Sequence, residues 1–451
     1  MKRYLRSAAL YLFAAAMAAN LAACSSSDDD NTGGDNGTNG GTTQLDPIND
    51  TNTYAEEAAN NPGTDFTDKA YGAAAIAGCT DLTVQLTNAN KAILSASLTA
   101  EQENYLREVV AGVVDNVIIP TYTELADKAE TLEATLNGLN VNTITQEQIN
   151  KACELFGEAR VQWERSEAFL GGAASDFSID PTIDSWPLSR SKLHAYLVAG
   201  ANDPSQLDDE SVLGFHALEF ILFRNGQPRK VAELRTNDTY NGFTDISGAA
   251  ELAYAQQVCT LLKQRTFQLQ VAWEGETSAN SNRMAVVKAA GLGVTTQKGL
   301  SYGDDIKNAG SSNSKYSTLK EAITQILSHD EGSALAIANE VGTAKIANPF
   351  SAGEISYVES PYSYRSITDF QDNIRSIRNV WYGNRTGKRD ASNKSFYTFF
   401  ARTKNDVNAA VVNSFVNTIN AIGSMPAPFV KYCCTVWGKE FSEEEYVETE
   451  E

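Results

Sequence analysis

The chain has 451 residues, enough for about two domains. With 57 acidic side chains against 36 basic ones, its formal net charge is −21. That excess speaks against nucleic acid as a partner and for solubility and the attraction of cations.

The first residues read as a processing signal. Lys2, Arg3 and Arg6 precede the apolar run Ala8–Ala19, which is too short to span a bilayer. Leu21-Ala22-Ala23-Cys24 follows and resembles a bacterial lipobox. That resemblance implies a signal peptide at 1–23, a lipid on Cys24 and attachment to the cell envelope, with the outer membrane as the expected location. Residues 24–52 read as a flexible lipidated tether. Their Ser, Asp, Asn, Gly and Thr cannot bury enough apolar surface to fold. Asp28-Asp29-Asp30 resembles the acidic export tag of some surface-displayed lipoproteins, and a plain solvated linker stays open beside it. Beyond the signal, no further apolar run of transmembrane length stands out.

Five other cysteines, Cys79, Cys153, Cys259, Cys433 and Cys434, fit no zinc-site spacing. Cys153 and Cys259 lie in apolar helical patterns and read as buried thiols. A link from Cys433 or Cys434 to Cys79 stays open.

Helical periodicity dominates the remainder. Residues 53–61 and 67–79 read as short helices and 81–98 as a further helical stretch. Residues 100–137 form a long helix on Tyr105, Val109, Val113 and Val117, kinked at Pro120 and closed by Gly138. Residues 145–170 start at the capping pair Thr145 and Gln148. Trp163 lies on the apolar face of this helix, while Arg160, Glu164 and Glu167 can share another face. Residues 176–187 are an ordered loop containing Trp186, and 188–197 a short helix carrying His194. The next helix falls within 211–223 and ends at Asn225-Gly226. A helix at 246–273 precedes a Gly/Ser/Asn-rich excursion at 274–316. Helices at 317–347, 366–380 and 396–422 follow, with 348–364 irregular. No alternating strand pattern appears. The fold class is therefore all-α: two helical-bundle domains at 53–245 and 246–440, an old duplication being left open, and an acidic, frayed tail at 441–451.

The segment Gly214-Phe215-His216-Ala217-Leu218-Glu219-Phe220 carries the chemistry. His216 is one of only three histidines, with His194 and His329. It shares a helix face with Glu219, three residues on, within an apolar segment. A buried imidazole and carboxylate are costly unless paired or holding a metal. A zinc peptidase helix needs a second histidine, and Phe220 stands where an inverted motif would place it. Glu164 and Glu167 could join His216 and Glu219 if their helices pack together. Such an oxygen-rich site with one imidazole suits iron or another divalent metal, including zinc.

Gly214-Phe215-His216-Ala217-Leu218-Glu219 matches the GxHxxE motif of the imelysin family, also known as insulin-cleaving metallopeptidase-like envelope proteins. Arg160-Val161-Gln162-Trp163-Glu164-Arg165-Ser166-Glu167, Asp184-Ser185-Trp186-Pro187 and Glu359-Ser360-Pro361-Tyr362-Ser363 resemble further segments of that family, in the same order. The resemblance implies two related helical bundles with the motif near their junction. It also implies an iron-regulated envelope lipoprotein whose partners are an iron carrier or envelope uptake components. Three functions follow as expectations: binding of a metal ion or metal complex in iron uptake, a zinc-dependent peptidase, or a surface interaction protein whose His216–Glu219 pair is purely structural.

Overall fold

The computed structural model describes residues 45, 47–48, 52–200 and 209–445. The expected signal peptide, the lipidated Cys24 and most of the tether lie outside these residues.

The fold is all-α. Among the described residues the extended structure amounts to the two-residue ribbon Phe223–Arg224 with Gln227–Pro228 and one isolated bridge. In chain order the main helices are α1 (Ala70–Leu94), α2 (Ala100–Asn137), α3 (Gln146–Glu164), α4 (Arg190–Val198), α5 (Gly214–Leu222) and α6 (Gly248–Glu274). Then come α7 (Leu319–Leu327), α8 (Ala334–Glu340), α9 (Ser366–Tyr382), α10 (Phe396–Thr403), α11 (Asn405–Gly423) and α12 (Phe429–Val436).

Local chemistry places these elements. Thr145 accepts from the Gln148 N–H at 3.3 Å while Gln148 returns the bond to the Thr145 N–H at 2.9 Å, so α3 starts on a capping box worth about 1 kcal/mol. Within α2, Val114–Ile118 widens into a π-turn just ahead of Pro120, which sits in the first turn of the α-segment that resumes at Ile119. The missing proline N–H is thus absorbed by a local bulge. By length and composition α2 could cross a membrane. Its apolar stripe is instead buried against α3 and α6.

Packing joins distant parts of the chain. α1 lies against α11, α9 against α3, and α6 against both α2 and α5. The described residues cluster as one compact unit, and contacts cross the expected boundary at 245 and 246.

Several local expectations are corrected. Residues 53–61 are an extended arm: the Ala55 and Ala58 N–H groups bond to the Asn413 and Asn420 side chains of α11, at 2.8 and 2.9 Å. The stretches at 67–79 and 81–98 are one helix, α1. The excursion at 274–316 contains helices Ser281–Ala289 and Tyr302–Lys307. Residues 341–352, expected to be partly irregular, form a π-helix. The described part of the tail is anchored at Glu443, which is buried and accepts from the Asn225 N–H, while residues 446–451 lie outside the described residues. All five described cysteines are buried and none is in a disulfide, so no link joins Cys79 to Cys433 or Cys434.

Candidate functional site

All nine residues of α5 are buried, and burial of each large apolar side chain contributes about 1.5–3 kcal/mol. This helix is therefore held firmly, and its two ionisable groups go where it puts them. Its first residue, Gly214, has φ +71°, and a Cβ there would collide with the Ile183 carbonyl. Glycine lets α5 start directly on the turn that carries Asp184.

His216 consequently lies between two carboxylates. Its Nε2 is 3.2 Å from Asp184 Oδ1, and its Nδ1 is 3.3 Å from Glu219 Oε2. The Nε2 contact has the distance of an ion pair without hydrogen-bond alignment, so that nitrogen is a buried polar atom lacking a well-aimed partner. The other Glu219 oxygen accepts from the Tyr362 N–H at 3.0 Å, the Ser363 N–H at 2.8 Å and the Ser363 hydroxyl at 2.7 Å. Burial pulls the basicity of His216 down, but the close carboxylates of Asp184 and Glu219 outweigh it and raise the pKa to about 9.

Behind His216 stands Arg160, fully buried on α3. Its guanidinium pairs with Asp184, with Glu359 at 2.5 Å, with Glu164 at 2.6 Å and with Asp369 at 3.3 Å. The buried Lys345 ammonium reaches both Glu359 oxygens, at 3.0 and 2.9 Å. Trp163 donates its indole N–H to Asp184 at 2.6 Å. Burial opposes ionisation of Asp184, yet Arg160 and His216 hold its pKa well below the usual carboxylate range. For Glu164 and Asp369 burial prevails over the attraction of Arg160, and their pKa values rise. The four carboxyl groups of Asp184, Glu164, Glu359 and Asp369 thus outnumber the three fixed cations beside them, Arg160, Lys345 and Arg365, in a water-poor setting.

The structure brings together Asp184, His216 and Glu359, each offering one ligand atom, all within 4.8 Å of one another. Of the residues expected as ligands, His216 is in this group. Glu219 grips its ring from the far side and has one oxygen taken by three donors. Glu164 is spent on Arg160 and on Asn373, whose side-chain amide donates to it at 2.5 Å. Glu167 is buried on the turn that follows α3. Trp186 forms a wall and Gly214 the pivot. His194 binds Asp245 at 2.8 Å, and His329 is exposed. Asp184 and Glu359 lie in segments whose sequence stood out, but loops carry them and no periodicity pairs them with His216. Their signal is their place beside Trp186-Pro187 and Ser360-Pro361, two proline-stiffened turns.

One imidazole and two carboxylates make a donor set for a divalent cation of hard to borderline character. A small cleft of about 20 Å³, lined by Trp186, Leu188, Arg190, His216, Val358 and Tyr362, adjoins the group. That is roughly room for one water or one ion.

The family model described as Imelysin matches residues 118–443. Iron-regulated protein A of Synechococcus elongatus is 25% identical over 298 residues, covering 66% of this chain and 70% of that protein. A crystal structure described as that of an iron-regulated protein A precursor from Parabacteroides distasonis superposes with a TM-score of 0.63. It is 25% identical, and the match covers 78% of this chain and 92% of that one.

Proposed function

This chain belongs to the imelysin family, and we propose from that premise that it binds a divalent metal ion, or a complex of one, at Asp184, His216 and Glu359 as part of iron uptake. One observation carries the reading. His216 Nε2 is buried 3.2 Å from Asp184 Oδ1 and lacks an aligned hydrogen-bond partner, Glu219 holds Nδ1, and Asp184, His216 and Glu359 each offer a ligand atom within 4.8 Å of the others. A carboxylate on the far nitrogen of a ligating histidine fixes its tautomer and raises its basicity. Glu219 has that role here, anchored in turn by Tyr362 and Ser363. The relatives' description as iron-regulated proteins supports iron as the physiological cargo. The expected lipid on Cys24 would tether this domain to the envelope.

Commitment of Glu219 to Ser363, Tyr362 and His216 also favours binding over peptide hydrolysis. A peptidase needs a carboxylate free to take a proton from water.

A second reading has its own observation. Arg160 and Lys345 already neutralise Glu359 and Asp184, and Asp369 of α9 and His216 of α5 join the same cluster, as in a sealed ionic network that fixes how α3, α5 and α9 meet. Thermal unfolding in the presence of Fe²⁺ under anaerobic conditions, or of Zn²⁺, separates the two. A bound metal at about 100 times its dissociation constant adds roughly 2.7 kcal/mol, and His216→Ala removes that gain. A sealed network shows no gain in either protein.

A further inference from the structure

Any cation that uses Glu359 meets a resident. Lys345 Nζ holds both oxygens of that carboxylate, and Lys345 is 1% exposed. Arg160 already shares that carboxylate, at 2.5 Å, so a third cation beside it meets strong repulsion unless one of the two residents withdraws. Lys345 has somewhere else to go. Its Nζ is already 3.9 Å from Glu340 Oε1, and the Glu340 side chain is 40% exposed while that of Glu359 is wholly buried. The face of Trp186, a wall of the cleft, lies 4.8 Å from the same ammonium. The backbone explains the arrangement. Lys345 sits in the π-helix Val341–Ala352, which begins directly after Glu340. In a π-winding residues five apart are the bonded neighbours, so Glu340 and Lys345 stand side by side. A π-segment also marks the local slack in a helix at which functional rearrangement is commonly found.

Resting on the metal-binding reading above, we propose that Lys345 is a displaceable internal counter-ion: a divalent cation entering at Asp184, His216 and Glu359 takes over Glu359 while the Lys345 ammonium passes to Glu340 and the Trp186 face. Charge on Glu359 stays compensated before and after, and the metal affinity is set by this exchange. In the metal-free protein Lys345 keeps the buried carboxylate neutralised, so the site does not collapse when empty.

The test is Zn²⁺ titration of the full chain by calorimetry, using wild type, Lys345→Met, Glu340→Gln and His216→Ala, with circular dichroism as the check on folding. Removal of the competing cation is expected to tighten Zn²⁺ binding by about tenfold or more in Lys345→Met, and to lower the unfolding temperature of the metal-free protein. Loss of the receiving carboxylate in Glu340→Gln, a partly exposed position that tolerates exchange, is expected to weaken Zn²⁺ binding severalfold. If wild type binds Zn²⁺ through His216 but Glu340→Gln binds it equally well, the exchange is overturned and the metal site stands. The same holds if folded Lys345→Met binds no more tightly than wild type. If neither wild type nor folded Lys345→Met binds Zn²⁺, both the site and the exchange are overturned.

Discussion

Ser363 donates both its backbone N–H and its hydroxyl to one oxygen of Glu219, at 2.8 and 2.7 Å. The second oxygen is thereby turned toward His216 Nδ1. Glu219→Gln retains the shape but replaces the oxygen facing the imidazole with a donor, or else presents a donor to the Ser363 N–H. In the first rotamer the ring must give up its Nδ1 proton to accept from the amide, and in the second two donors face each other at Ser363, so the imidazolium loses support either way. The His216 pKa, raised to about 9 in the wild type, should fall by at least about one unit in this variant. With only three histidines in the chain, their ring protons can be followed individually by NMR titration. An unchanged His216 titration contradicts the role given to Glu219.

Gly214→Ala should be among the most damaging single changes that add only one methyl group. The residue has positive φ, and the new carbon would strike the Ile183 carbonyl. A loss of about 3 kcal/mol or more in urea unfolding is expected, from backbone strain and overpacking together. Gly242→Ala, also at positive φ but with open space around it, should cost clearly less.

Arg160→Met removes the one cation shared by Asp184, Glu164, Glu359 and Asp369. Uncompensated buried carboxylates of this kind cost roughly 3–5 kcal/mol. Because those carboxylates can take up protons, the variant should recover part of its stability at mildly acidic pH. Unfolding curves at pH 5 and pH 8 measure this, and a deficit independent of pH contradicts it.

The pH dependence of the wild type follows from the same groups. His216 is raised above its unfolded value, so its contribution is fully present below about pH 6.5 and is lost as pH rises through about 9. Asp180 and Glu443, each pushed up to about 7 by burial, act in the same direction between about pH 4 and 7, since the folded chain holds their protons more tightly. Asp184 works oppositely: its depressed pKa adds stability above the unfolded carboxylate value that is lost in acid. Without metal, the stability contributed by these groups should therefore peak near the unfolded carboxylate value, about pH 4, and fall by several kcal/mol toward pH 9, with roughly 3 kcal/mol as the upper share of His216. A metal-free protein more stable at pH 9 than at pH 6 contradicts this assignment.

Periodicity was enough to show helices, because a buried stripe such as Tyr105, Val109, Val113 and Val117 is written at fixed intervals. It also singled out His216 and Glu219, whose three-residue spacing fixes their relation on any helix. Long-range partners are not written that way. Glu164 shares a helix with Arg160, yet Asp184, Glu359 and Asp369 reach the same guanidinium from other elements. Which carboxylates surround His216 depends on tertiary packing, and the three-residue spacing that pairs Glu219 with His216 carries no trace of Ser363, 144 residues away, which occupies one Glu219 oxygen. Lys345 was hidden for a further reason: it belongs to a π-helix, whose spacing matches neither the α nor the strand template.

The central claim is that Asp184, His216 and Glu359 hold a divalent metal. The most direct measurement is metal stoichiometry by native mass spectrometry after anaerobic Fe²⁺ loading, for wild type, His216→Ala and His194→Ala. The account predicts one iron per chain in wild type and in His194→Ala, and none in His216→Ala. No iron in folded wild type, or one iron retained in His216→Ala, contradicts it.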